Sequence, residues 1–186
     1  MKNVKNWRNK SLIMEVLEAI KKRRSIRAFK GEAVSEETAQ KLIDAARWAP
    51  SAGNIQPWEF IIVRKSEIKR RLVEAALGQT FIEEAPVVIV VCANQSRSYQ
   101  GYGVRGETLY CIQDTAAAIQ NILLTAYALG LGACWVGAFR EEEAREILKI
   151  PQGIRPVAII PIGYPAEAPQ PPSRRTVNQI VHYETF

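Results

Sequence analysis

Between Ala49 and Trp58 the chain reads A-P-S-A-G-N-I-Q-P-W. Pro50 and Pro57 stiffen the segment, and Gly53 permits a positive φ or a close backbone approach. Ser51, Asn54 and Gln56 add hydroxyl and amide groups that donate and accept hydrogen bonds without net charge. Such a set suits the edge of a flat polar heterocycle; an ordinary turn joining a helix to a strand is the plainer alternative. Upstream, Arg23, Arg24, Ser25 and Arg27 supply three guanidinium groups and a hydroxyl. Those donors suit a phosphate, although a solvated basic helix end has the same composition. Together the two segments point to a phosphorylated ring cofactor, and flavin mononucleotide (FMN) fits best.

Other chemistries find little support. Cys92, Cys111 and Cys134 show no C-x-x-C pairing and no metal-ligand spacing, so no metal is expected. Each falls in an apolar pattern, where buried free thiols are common. The single histidine, His182, lies near the C-terminus, so a Ser-His-Asp relay would have to be built around it. An odd cysteine count without a secretory leader favours a reducing cytoplasm. The net charge of +6 raises the question of nucleic acid. Its sign is dispersed, however, with acidic clusters at Glu32–Glu37 and Glu141–Glu146, and no groove-reading or RNA-binding signature appears. No apolar run approaches the roughly 20 residues a membrane span needs. Neither a nucleic acid nor a membrane is therefore expected as a partner.

The positioning elements follow from hydrophobic spacing. Residues 1–12 read as a basic, polar N-terminal extension, and residues 13–186 as one domain. Ile13, Val16, Leu17 and Ile20 share a helical face, with Lys21–Arg24 in the last turn. Ser35 is placed to cap a second helix carrying Ala39, Leu42, Ile43 and Ala46 inward, stopped by Pro50. Trp58–Val63 reads as a strand with Trp58 in the core, and Ser66 as the cap of a short helix. Val87–Cys92, apolar on both faces, reads as a central strand. Asn94–Gly106, with three glycines, reads as a flexible polar loop. Tyr99 and Tyr102 there suit stacking on an aromatic substrate, and Arg97 or Arg105 a dinucleotide phosphate; an exposed loop without function is the alternative.

Glu107–Leu129 reads as a long helix apolar beyond a single stripe, ended by Gly130 and Gly132. Gln113 and Asp114 on it read as polar groups of an interface rather than as catalytic acids. Ala133–Phe139 and Pro156–Ile162 read as strands, with a helix at Glu141–Leu148 between them. Ala166–Pro172 is a proline-rich arm, and Val177–Val181 an amphipathic end. Four strands separated by helices give an α/β or α+β sandwich.

Four motifs in order make the chain resemble the nitroreductase family of FMN enzymes. They are R-R-S-I-R at Arg23–Arg27, A-P-S-A-G-N-I-Q-P-W at Ala49–Trp58, Q-D-T-A-A-A-I-Q-N-I-L-L at Gln113–Leu124, and G-L-G-A-C-W-V-G at Gly130–Gly137. The resemblance runs from about Met14 to Phe186. It implies an α+β fold with a central mixed sheet flanked by helices, and a homodimer with FMN at the subunit interface. The C-terminal arm would be exchanged between protomers, and the Glu107–Leu129 helix would form the main dimer contact.

The resemblance also assigns expected roles. Arg23, Ser25 and Arg27 match contacts to the flavin phosphate and pyrimidine, with Arg24 beside them, and either Arg174 or Arg175 matches a C-terminal phosphate contact. Pro50, Ser51, Ala52 and Asn54 match the loop against the ring and ribityl chain, with Gln56 the next polar candidate. Gly137 and Ala138 match the place where backbone N–H groups face the reactive N5 edge, with Trp135 and Val136 packing beside the ring. Gln79 is the one reasonable donor near the end of the third helix. The implied activity is reduction of nitroaromatics, quinones or similar electron-poor acceptors by NAD(P)H in a ping-pong cycle, with Tyr99, Tyr102 and Arg105 lining the substrate pocket. A flavin-storage protein without fast NAD(P)H turnover, or a reductive dehalogenase relative on the same fold, are the alternatives.

Overall fold

The computed structural model describes residues 16–186; the expected N-terminal extension, and Ile13 of the first helix, lie outside the described residues. Seven α-helices and four strands follow in the order α1 (Val16–Lys22), α2 (Glu36–Arg47), β1 (Trp58–Val63), α3 (Ser66–Ala75), α4 (Phe81–Glu84), β2 (Val87–Asn94), α5 (Gln95–Arg105), α6 (Cys111–Ala128), β3 (Gly132–Ala133), α7 (Glu141–Leu148) and β4 (Ile154–Gly163).

The sheet order is β1-β2-β4-β3, and every ladder is antiparallel. The parallel component is a single bridge between Ser25 and Ala133. Because strand side chains alternate in direction, β2 divides its apolar residues between two layers. Val87, Ile89 and Val91 face a core built with Leu42, Ala46, Ile119 and Ile122 of α2 and α6. Val88, Val90 and Cys92 face a core with Leu72, Ile82 and Ala144 of α3, α4 and α7. This is an α+β sandwich with a sheet buried on both faces.

Local chemistry explains the element ends. Ser35 caps α2 by accepting the Thr38 N–H at 3.1 Å, and Ala39, Leu42 and Ala46 are buried as their spacing requires. Ser66 instead lies inside α3, whose N-cap is Lys65 without a side-chain capping bond.

Two further expectations are corrected. The segment after β2 is helical rather than a loop: Asn94 caps α5 by accepting the Arg97 N–H, and the helix kinks at Tyr102 and Gly103 before a π-turn (Gly106–Tyr110) leads into α6. Gly103, at φ 56° and ψ −147°, absorbs the kink within the helix instead of ending it. The strand expected at Ala133–Phe139 is paired only at Gly132–Ala133, with one further bridge at Val136–Ile159. Helix α1 forms where its apolar spacing predicts; Val16, Leu17 and Ile20 on it are exposed, and Ala19 is its one buried residue.

Candidate functional site

The segment after α1 runs antiparallel to the end of β4. Lys30 N–H donates to Tyr164 O at 2.9 Å, and Ala166 N–H to Ala28 O at 2.9 Å. Glu167 then turns its carboxylate onto the backbone N–H groups of Arg27 and Ala28. This stitching brings the proline-rich arm back across the first arginines. The result is a cleft of about 310 Å³ whose lining includes Arg23, Arg24, Ser25, Arg27, Gln170 and Arg174. Arg175 instead donates to Gln179 O within the arm, so Arg174 is the one that reaches the cleft.

The cleft is electrostatically unbalanced. Burial, followed by the neighbouring Arg24 and Arg174 guanidiniums, pushes the Arg23 pKa below its ordinary value. Among the described residues, none of Arg23, Arg27 and Arg174 has a carboxylate within salt-bridge distance. Arg27 lies over the Phe81 ring, 5.9 Å from its centroid. Arg24 is turned back onto Lys21 O and Arg23 O, both at 2.8 Å, which makes it a helix-end brace. Clustered cations of this kind fit a dianionic phosphate.

Ala133, bridged to Ser25, leads directly into the Cys134–Ala138 segment. Burial pushes the Cys134 thiol up; Arg27, a Ser25 hydrogen bond and Arg23 pull the other way. Val136 is buried in the second core, so its side chain is unavailable to a ligand, whereas Trp135 remains 40% exposed. Gly137 and Ala138 are exposed, and among the described residues their N–H groups have no acceptor. A Cβ added at Gly137 would meet nothing within 4 Å, so the main chain there is open to a flat group. Gln79 donates to Ala138 O at 3.0 Å and to Ala76 O at 2.9 Å. It holds this edge in place with its amide N–H groups already committed.

The Ser51–Gln56 loop lies elsewhere. Gly53, Asn54 and Gln56 all have φ near +55°, left-handed conformations that are unfavourable for the latter two. Ser51 Oγ accepts the Gln56 N–H at 3.0 Å, and Gln56 Nε2 donates to Asn54 Oδ1 at 3.2 Å. Helix α5 packs on the loop from one side. Arg97 Nε donates to Ile55 O at 2.7 Å, and a Cβ on Gly53 would sit 2.6 Å from the Tyr102 hydroxyl. Tyr102 meets Tyr110 edge-on at 5.3 Å, and Arg105 donates to the Tyr110 hydroxyl at 2.9 Å. Tyr99 is 53% exposed on the same helix.

Asp114 corrects a sequence-based expectation. It is buried inside the chain rather than placed as an interface polar group, and its Oδ1 accepts the Ala52 N–H at 3.2 Å. The Ala52 anchor and the Leu123–Tyr127 wall beside the guanidinium cleft sit toward opposite ends of α6. At 1.5 Å rise per residue, Asp114 and Tyr127 are about 20 Å apart along the axis. One chain therefore carries the two halves of the expected cofactor site at separate places.

The profile of the family described as "Nitroreductase family" matches residues 20–84 and 75–164. The chain belongs to the nitroreductase family. This nitroreductase-family chain is 43% identical over 161 residues to a Methanothermobacter thermautotrophicus protein with the provisional name NADH dehydrogenase/NAD(P)H nitroreductase, covering 84% of this chain and 80% of that one. It is 30% identical over 185 residues to the FMN reductase [NAD(P)H] of Bacillus subtilis, covering 92% and 74%. The crystal structure of the Vibrio harveyi NADPH:FMN oxidoreductase in complex with NAD+ superposes with a TM-score of 0.85 at 26% identity, covering 92% of this chain and 77% of that one. Among the described residues, no helix is long and apolar enough to cross a membrane.

Proposed function

We propose that this nitroreductase-family enzyme is an FMN-dependent oxidoreductase that takes reducing equivalents from NADH or NADPH and delivers them to electron-poor aromatic acceptors such as nitroaromatics and quinones. The observation that carries this reading is the cleft where Arg23, Arg27 and Arg174 converge from both ends of the polypeptide, none of the three guanidiniums in a salt bridge among the described residues. When bound, the flavin supplies the hydride chemistry, and the protein supplies position and electrostatics.

The residues present fit that group. Arg23, Arg27 and Arg174 hold the phosphate, with Ser25 beside them and Arg24 bracing the helix end. The exposed N–H groups of Gly137 and Ala138 are preorganised donors for the ring, fixed from behind by Gln79. Trp135 flanks the ring with its exposed face. Ser51, Asn54 and Gln56, on the loop between Pro50 and Pro57, hydrogen-bond the polar edge and ribityl chain, with Ala52 between them. Tyr99, Tyr102 and Arg105 on α5 form the pocket wall in place of the loop expected there. The two substrates use this one pocket in turn, which predicts ping-pong kinetics.

A homodimer completes the site. One protomer's Ser51–Gln56 loop then meets its partner's guanidinium cleft across a two-fold axis. Val16, Leu17 and Ile20, exposed on one chain, are covered in this arrangement. So is the 350 Å³ cavity lined by Ile26, Leu123, Tyr127 and Leu131 beside the cleft. Strand β1 is a sheet edge, and unpaired edges invite an added strand. A groove of about 570 Å³ lined by Ile61, Ile62, Ile68, Ile147 and Leu148 runs beside it. The partner's C-terminal arm, with Val177, Ile180 and Val181 exposed, is the segment that fills it. A single domain over residues 13–186 and a reducing cytoplasmic location, suited to three free buried cysteines, complete the reading.

The experiment is the absorption spectrum of the purified protein with FMN, before and after anaerobic NADH or NADPH. Two flavin bands that bleach rapidly are expected. Slow bleaching favours a flavin-storage protein, and a colourless protein in excess FMN removes the reading.

A further inference from the structure

We propose that Asp114 is the positioning residue of the Ser51–Gln56 loop, its buried carboxylate holding the loop, through the Ala52 N–H, in the conformation that presents Ser51, Asn54 and Gln56 to the cofactor. This rests on the FMN reading above.

Asp114 occupies the first turn of α6 and is 8% exposed. Its Oδ1 accepts the Ala52 N–H at 3.2 Å, while its buried Oδ2 has no partner among the described residues. Among the described residues, no cation lies within salt-bridge distance. Burying a carboxylate in this way is unfavourable, and desolvation raises its pKa, opposed only by the Ala52 bond. A side chain serving packing alone would be apolar here, as Cys111 and Ala118 on the same helix face are.

The segment it holds needs holding. Gly53, Asn54 and Gln56 all lie in the left-handed region, and such strain persists only where the surroundings over-determine it. Bonds internal to the loop include Asn54 N–H to Ser51 O, Ile55 N–H to Ala52 O, Gln56 N–H to Ser51 Oγ and Gln56 Nε2 to Asn54 Oδ1. Helix α5 adds Arg97 on Ile55 O and the Tyr102 hydroxyl over Gly53. Those partners stand on a kinked helix whose side chains are largely exposed. Among the described residues, the Asp114–Ala52 bond is the one hydrogen bond between the loop and α6, the helix that packs both on α2 and on the sheet. Losing it leaves the loop's own bonds intact but frees the loop relative to the core.

The test is FMN titration of the wild type, Asp114→Asn, Asp114→Ala and Asp114→Leu, with thermal melts of each apo protein. Asn keeps a carbonyl acceptor for the Ala52 N–H; Leu removes the acceptor and the buried charge while filling the space. The expected result is FMN affinity within threefold of wild type for Asn and at least tenfold weaker for Leu and Ala, with the Leu variant melting no lower than wild type. In a double-mutant cycle with Asn54→Ala, the Leu variant should lose little more than the larger single loss. A Leu variant that binds FMN as the wild type does, or an Asn variant as weak as Leu, overturns the role of Asp114 and leaves the FMN reading standing. A wild type that does not bind FMN overturns both.

Discussion

The guanidinium cleft and the Ser51–Gln56 loop are built on opposite principles. The cleft gathers Arg23, Arg27 and Arg174 from distant parts of the sequence and leaves their like charges facing one another. The loop is local and neutral, and stores its cost in backbone conformation at Asn54 and Gln56. Mutual repulsion among cations is relieved by an anion, so the cleft should govern how tightly a phosphorylated ligand is kept. A strained, anchored loop that bonds through neutral groups should supply less affinity than the cleft and chiefly fix orientation. Retention and orientation are thus assigned to different parts of the molecule.

Breaking the cleft should have the largest effect. Charge-assisted hydrogen bonds contribute about 1.5–3 kcal/mol each, so Arg23→Ala with Arg174→Ala should weaken FMN binding by about 100-fold or more in a fluorescence titration. The loss should shrink at high salt, as exposed charge interactions do. Next comes the loop. Gly53→Ala places a Cβ at φ +54° and 2.6 Å from the Tyr102 hydroxyl, and a left-handed non-glycine residue costs roughly 1–2 kcal/mol. About tenfold weaker FMN binding is expected, with the phosphate contribution unchanged; a loss confined to the phosphate contribution would contradict the division of labour.

A smaller effect is expected at the pocket wall. Arg105→Ala should raise the apparent KM for the dinucleotide about threefold and leave flavin content untouched, and an unchanged KM removes that role.

The smallest effect concerns the anchor's charge. The folded-state pKa of Asp114 is raised by desolvation, so the folded chain binds that proton more tightly than the unfolded one, and the ionised form at neutral pH detracts from stability. Asp114→Asn should therefore melt slightly higher than wild type at pH 7. The advantage should fade as the pH falls through the raised pKa and into the ordinary carboxylate range, where Asp114 is protonated in both states. An advantage that grows on acidification would contradict the sign.

Much of this was legible in the sequence because it depends on local chemistry. The Ser35 cap, the inward face of α2 and the two-sided burial of β2 follow from spacing and side-chain type. The cleft residues were legible as a group, yet only tertiary stitching through Ala166 and Glu167 selects Arg174 over Arg175. Helix α5 is not legible, because Gly101, Gly103 and Gly106 signal a loop. Two of them instead allow close packing: a Cβ on Gly101 would meet Ile55 at 2.3 Å, and one on Gly106 would meet Ser98 O at 2.2 Å. The burial of Asp114 is not legible, because no local rule distinguishes a buried carboxylate from an interfacial one. Its partner, the Ala52 N–H, is 62 residues away. The available signal was an acidic residue set among the apolar positions of a helix buried on several sides. On α1, the shared apolar face of Val16, Leu17 and Ile20 was legible, and its exposure among the described residues was not.

The most direct test of the central claim compares FMN with riboflavin, which differ only in the phosphate, by titrating the apo protein with each at low salt. The account predicts FMN bound at least 100-fold more tightly, with most of that ratio lost in the Arg23→Ala, Arg174→Ala protein. Equal affinity for the two flavins would contradict it.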